Sequence, residues 1–177
     1  GSATMHRFPI SALLLGLLTA LTGCSGVPEG ATPVNNFSLQ RYLGTWYEVA
    51  RLDHRFERGL SNVTAEYRLR DDGKVRVVNR GFDAGSNEWN EAEGKAKFAG
   101  AEDVGQLEVS FFGPFYSSYN IIELDHENYE YALIAGYNLD YLWILARSPE
   151  LDPAIVARLV GKARELGFAT DELIYVE

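Results

Sequence analysis

The side chains able to do covalent or acid–base chemistry are few and scattered: one cysteine, Cys24, and three histidines, His6, His54 and His126. A structural zinc site needs closely spaced Cys or His pairs, and none of these four has such a neighbour. No serine, histidine and acid fall into a pattern that would build an activated nucleophile. The carboxylates Glu91 and Glu93 share one face of an alternating charged run, which is the wet side of a strand rather than an acid–base pair. No catalytic residue, metal or cofactor is implied. The balance of 25 acidic against 16 basic side chains, a formal charge of -9, excludes nucleic acid as a partner, because phosphate contacts need clustered Lys and Arg. With one cysteine there is no internal disulfide, so 177 residues at 46% hydrophobic content must hold a single domain by packing.

Residues 1–4 precede the only methionine, Met5, and read as an expression scar. Residues 5–23 read as a secretory signal: His6 and Arg7 lead into an apolar run, Ile10 to Leu21, shorter than the roughly 20 residues of a membrane-spanning helix. The run ends in Leu21-Thr22-Gly23-Cys24, which resembles the bacterial lipobox, where the cysteine is acylated and becomes the first residue of the mature chain. Ser25 resembles an outer-membrane sorting signal. Each acyl methylene buried in a bilayer contributes about 0.8 kcal/mol, and two or three chains anchor where one does not. Residues 24–36, with two prolines and two glycines, read as a lipidated flexible tether, which leaves 37–177 as the domain.

From Trp46 on, short apolar runs alternate with turn clusters at the spacing of an antiparallel barrel or sandwich. Eight strands are expected: Trp46 to Arg51, Asn62 to Arg70, Lys74 to Phe82, Glu88 to Ala99, Gly105 to Phe112, Tyr119 to Leu124, Tyr129 to Gly136 and Tyr141 to Arg147. Asp71-Asp72-Gly73-Lys74 joins two of them as a tight hairpin. One helix follows, capped by Asp152, started by Pro153 and ended by Gly167, with an apolar stripe that must pack on something. A last strand, Ile174 to Val176, closes the chain. The fold class is all-β, an eight-stranded up-and-down barrel with one C-terminal helix outside. Small inward residues, Ala65, Gly81, Ala92, Gly94 and Ala96, predict a hollow interior able to hold one small ligand.

Gly44-Thr45-Trp46, Asp140-Tyr141 and Arg147 resemble, in order and separation, the three signatures of the lipocalins. The stretches Asp53 to Gly59, Ser110 to Tyr116 and Tyr141 to Leu145 are similar to the bacterial outer-membrane lipocalins, relatives of apolipoprotein D. The resemblance covers nearly all of the mature chain. It implies that Arg147 lies across Trp46 as a closure of the barrel, which a cation–π contact of roughly 0.5 to 2 kcal/mol would favour.

Strand alternation and the family pattern together line a cavity with Val63, Ala65, Tyr67, Val77, Asn79, Ala96, Phe98, Val109, Phe111, Tyr119, Ile121, Ile134, Tyr141 and Trp143. Tyr67, Asn79, Phe98 and Tyr119 are expected in the mouth half, Tyr141 and Trp143 near the base, with no histidine and no basic cluster facing inward. Glu123 shares the parity of Ile121. The charged segment Asp53 to Arg58 would either meet a ligand headgroup or be a solvated loop. The resemblance implies a non-enzymatic carrier of fatty acids or (lyso)phospholipids, held by acylated Cys24 on the periplasmic face of the outer membrane; a homodimer is left open. About ten buried methylenes, less association costs, give affinities between about micromolar and millimolar. An enzyme on the same scaffold, or an interaction protein whose barrel is plugged, are the rival readings.

Overall fold

The computed structural model describes residues 26–177, so the segments expected to be a scar and a signal, and Cys24, lie outside the described residues. A short helix α1 (Leu39–Tyr42) leads into eight strands: β1 (Gly44–Arg51), β2 (Leu60–Leu69), β3 (Val75–Asp83), β4 (Glu88–Phe98), β5 (Gln106–Phe112), β6 (Phe115–Leu124), β7 (Tyr131–Ala135) and β8 (Leu142–Ala146). Helix α2 (Pro153–Glu165), a single 3-10 turn (Thr170–Glu172) and a two-residue strand β9 (Ile174–Tyr175) complete the chain. Each strand pairs antiparallel with the next, and β8 returns to β1 with Tyr47 opposite Ala146, so the barrel is closed. β9 lies outside the eight, beside Ala50 and Arg51 of β1, beyond the stretch where β1 pairs with β2.

Local chemistry sets these bounds. The hairpin between β2 and β3 turns at Gly73, whose φ of 80° is open to glycine, while Asp72 Oδ1 accepts from the Lys74 N–H at 3.0 Å. β6 begins four residues earlier than the alternating pattern predicts. Ser117 and Ser118 pair with Val109 and Glu108, and their polarity conceals the strand in the sequence. Asp152 caps α2 by accepting from the Ala154 N–H at 2.9 Å, with Pro153 at the first turn and Gly167 at φ 96° after the end.

There are two cores. One fills the barrel around Trp46, Tyr67, Val77, Ile121 and Ile134. The other lies between α2 and the outer faces of β1, β7 and β8, where Leu159, Val160 and Ala163 cover Val49, Leu133, Ile144 and Ala146. The continuous apolar run Tyr131–Ala135 follows from this sandwiching, since both faces of β7 are covered. Fully burying a residue such as Leu159 contributes about 1.5 to 3 kcal/mol.

Residues 26–36 correct the expectation of a flexible tether. Val34 N–H donates to Ile121 O at 2.9 Å and its carbonyl accepts from Gly105 N–H at 2.8 Å, while Asn120 Nδ2 donates to Gly26 O at 2.8 Å. Proline and glycine here shape an extended segment that docks on the barrel wall instead of leaving it.

Strand direction fixes the two ends. The connections 52–59, 84–87, 113–114 and 136–141 meet at one end, and 70–74, 99–105 and 125–130 at the other, together with α1. A bulge between Ile121 and Glu123 breaks the alternation in β6: Leu124, not Glu123, joins Ile121 in the barrel core, and Glu123 is half-buried.

Candidate functional site

The end bearing α1 is sealed. Trp46 has no exposed surface, its indole N–H donates to Tyr42 O at 2.8 Å, and the Arg147 guanidinium lies 3.9 Å above its ring. Arg147 also donates to the carbonyls of Arg41, Leu43, Thr45 and Tyr129, which would otherwise be orphaned where the strands end. Gly44, at φ 103°, passes so close that a Cβ there would stand 3.4 Å from Arg147 Nη1. The closure predicted for Trp46 and Arg147 is therefore in place.

Above it runs a chain of phenols. The Tyr42 and Tyr119 hydroxyls are 2.6 Å apart and those of Tyr119 and Tyr67 are 2.9 Å apart. Burial, reinforced by its two phenolic neighbours, pushes Tyr119 well above its ordinary pKa, and burial raises Tyr67 and Tyr42 as well, so the three stay neutral. They enclose, with Val75, Ala96, Leu107 and Val109, a cavity of about 10 Å³, room for one water molecule. Tyr67, Phe98 and Tyr119 thus lie in the floor, not in the mouth half where they were expected. Phe98 packs on Phe37 at the closed end, with ring centroids 6.0 Å apart.

The wall above the floor is apolar. Val63, Val77, Ala96, Ile121 and Ile134 are buried, and Ala65, Val109, Phe111 and Trp143 are partly so. The hollow predicted from small residues is narrower than expected. A Cβ on Gly94 would meet the Phe111 ring at 2.8 Å, and one on Gly81 would meet Leu60 at 3.0 Å and Val63 at 3.3 Å, so neighbours occupy the space those glycines leave. Part of the interior is nevertheless reachable. Ala65, Asn79 and Ala92 stand in one register row across β2, β3 and β4; the first two are partly exposed and Ala92 is exposed. Only Lys95 to Phe98 of β4 pair with β5, so the wall parts there toward the mouth. The Asn79 side chain has no hydrogen-bond partner among the described residues.

Tyr141 and Trp143, expected near the base, belong to the open end. Tyr141 precedes β8 and stacks on Trp143, with ring centroids 6.3 Å apart. The loop 52–59 folds over them. The His54 ring stands 5.5 Å from that of Trp143 and its Nε2 3.1 Å from Glu57 Oε1, which also accepts from Trp143 Nε1 at 3.1 Å. Phe56 reaches Phe112, the last residue of β5, four strands round from β1.

Under this loop sits a buried ionic cluster that alternation alone did not reveal. A bulge between Glu48 and Ala50 turns Glu48 and Arg51 to one face, with Arg51 Nη1 3.1 Å from Glu48 Oε1. Arg51 Nη2 donates to the carbonyls of Glu57 and Leu60 at 2.9 and 3.3 Å and so pins the loop. A guanidinium and an imidazole therefore do face inward, contrary to expectation. Burial, then the hydrogen bond and charge of Glu57, raise Glu48 well above the usual carboxylate range. Burial also opposes ionisation of Glu57, but hydrogen bonds from His54 and Glu48 and the His54 and Arg51 charges outweigh it and hold Glu57 at about 2. Arg51 Nε and His54 Nδ1 are buried without hydrogen-bond partners among the described residues, which is spare capacity for a polar group at the mouth, while Glu57 Oε2 stands 3.9 Å from Arg51 Nη1. Of the segment Asp53 to Arg58, Arg58 pairs with Asp53 at 2.8 Å and Arg55 lies over Phe56. The inward parity of Glu48 with Trp46 was the signal in the sequence.

The fold is shared with insecticyanin from the tobacco hornworm Manduca sexta, at a TM-score of 0.68 and 22% identity over 86% of each chain. In sequence the chain is 55% identical over 157 residues to the outer membrane lipoprotein Blc of Vibrio cholerae, covering 89% of this chain and 92% of that one. It is 47% identical over 168 residues to the Blc lipoprotein of Escherichia coli K12, covering 95% and 94%. Apolipoprotein D of Bos taurus is more distant, 35% identical over 162 residues, or 82% of this chain and 85% of that one. The lipocalin-like domain family matches residues 37–177, the whole of the barrel, α2 and β9. The chain belongs to the lipocalins, and within them it stands with the bacterial outer membrane lipoproteins.

Proposed function

We propose that this chain is an envelope lipoprotein that carries one acyl lipid, a fatty acid or a (lyso)phospholipid, in its barrel, and that acyl chains on Cys24 hold it to the periplasmic face of the outer membrane. The carrying observation is the row Ala65, Asn79 and Ala92: inward side chains that stay open to solvent above a sealed floor. A hydrocarbon tail along Val77, Val109, Phe111, Ile121, Ile134 and Trp143 would exchange that wetted apolar surface for contact. Its polar end would reach Arg51 Nε and His54 Nδ1, which lack hydrogen-bond partners among the described residues, once the loop 52–59 gives way. The names of the relatives support the membrane placement. No bond is made or broken in this reading.

Mass spectrometry of protein purified without added lipid tests it, together with titration of the delipidated chain by a fluorescent fatty acid. A recovered acyl lipid, saturable binding without product and a diacylglyceryl mass on Cys24 are expected. A second reading, a barrel plugged by its own side chains, is favoured by the covered glycines Gly81 and Gly94 and predicts no saturable binding. Turnover of the ligand would overturn both.

A further inference from the structure

Six of the nine large apolar side chains exposed among the described residues crown one end of the barrel, the open one. Phe56 is on the loop 52–59, Trp89 just below the connection 84–87, Phe112 and Phe115 flank the connection 113–114, and Tyr137 and Leu139 are in 136–141. Their exposure runs from 40% for Leu139 to 77% for Phe115. Every open-end connection therefore carries at least one or has one within two residues of it, whereas isolated exposed apolar residues would fall at random over the surface. Two of the six are backed by guanidinium groups that have no carboxylate partner among the described residues. Arg55 lies 4.9 Å from the Phe56 ring centroid and Arg80 4.1 Å from that of Trp89. An apolar tip with a cation that can snorkel beside it suits the boundary between headgroups and acyl chains. The remaining charge of these loops is mixed, which favours a zwitterionic over an anionic surface.

The N-terminal side of the chain leaves from the same end. Asn120 Nδ2 donates both to Gly26 O and to Gly136 O, at 2.8 and 3.1 Å, so the first described residue is clamped beside the connection 136–141. Two residues span at most about 7 Å, which keeps Cys24 within that distance of Gly26. The six tips encircle an opening, so they offer a protein partner little continuous area but can all dip together into a planar lipid surface.

We propose that the aromatic crown of the open end is a membrane-docking surface that seats the mouth of the barrel in the headgroup region of a zwitterionic leaflet, where a lipid can pass between bilayer and barrel without crossing water. The crown stands on exposure and position; only the tie at Cys24 rests on the anchoring proposed above.

The test places the acylated chain carrying Trp143→Phe in phosphatidylcholine vesicles, with and without bromine along the lipid acyl chains. Trp46 is sealed in the floor and serves as the unquenched control, so quenching reports Trp89. Docking predicts that Trp89 emission falls by roughly half in brominated vesicles, and that Phe112→Ser with Phe115→Ser removes most of the loss. Both substitutions fall on exposed residues, and unchanged Trp46 emission verifies that the barrel is intact. Equal emission in both vesicles, or quenching that ignores the double substitution, overturns the proposal. So does a solution dimer that the double substitution dissolves while quenching is absent, which would give the crown to a second copy. Fatty acid titration of the chain with Trp143 intact, with and without Phe112→Ser and Phe115→Ser, keeps the two readings apart: intact binding without quenching sinks docking alone, and quenching without binding sinks the carrier alone.

Discussion

The two ends of the barrel use the same kinds of side chain in opposite ways. At the closed end Trp46 and Arg147 spend their polar atoms on backbone carbonyls, and the three tyrosine hydroxyls form a chain among themselves. At the open end a guanidinium and an imidazole of comparable burial leave Arg51 Nε and His54 Nδ1 without hydrogen-bond partners among the described residues, and the aromatics point into solvent. Satisfied groups at one end and spare capacity at the other separate stability from recognition along a single axis. A carrier needs this division, since an end that must admit cargo cannot also be the end that holds the strands together.

The comparison breaks most readily at the floor. Trp46→Ala removes the largest fully buried side chain and the ring beneath Arg147, and is expected to cost about 3 to 5 kcal/mol in urea unfolding. A loss below about 1 kcal/mol would show that the closed end does not carry the fold. Tyr119→Phe is milder and sharper. It takes the middle hydroxyl from the chain, deprives both Tyr42 and Tyr67 of their partner, and is expected to cost about 1 to 3 kcal/mol with little change in ligand affinity. If affinity falls together with stability, as paired titrations and urea melts would show, cargo reaches the floor and the two ends are not separate.

Away from the bulges, which face a residue takes was legible in the sequence; the height of Tyr67, Tyr119, Tyr141 and Trp143 along the barrel was misread. Period-two alternation placed Tyr67, Val77, Ala96 and Ile134 inside correctly, because slipping a strand by one residue would expose its whole apolar set. Alternation is silent on direction, yet the up-and-down order supplies it. β1 starts at the floor with Trp46, so β2 must run back, and Tyr67 near its end belongs to the floor. The bulges in β1 and β6 escaped, since one extra residue flips parity without altering composition, and they decide where Arg51 and Glu123 point. The contact of Glu57 with Trp143 spans 86 positions and is tertiary, beyond any local pattern.

The smallest expected effect concerns pH and isolates the mouth. In the unfolded chain Glu48 and Glu57 both titrate near 4.5. Glu57, held at about 2 in the folded barrel, adds stability that is present above 4.5 and is lost as pH falls toward 2. Glu48 is displaced upward, so between 4.5 and its raised folded value the native state keeps a proton that the unfolded chain has released. Its contribution is therefore full below 4.5 and declines as pH rises. Together they predict a stability maximum near the ordinary carboxylate pKa for this pair, with limbs of opposite slope. Glu48→Gln imitates the protonated carboxyl. Urea midpoints measured from about pH 4 to about pH 8 should coincide for the two proteins at the acid end and diverge upward in favour of the variant as pH rises. Parallel curves would mean that Glu48 is ionised in the folded barrel, which adds a second negative charge beside Glu57 and makes the mouth less receptive to an anionic headgroup.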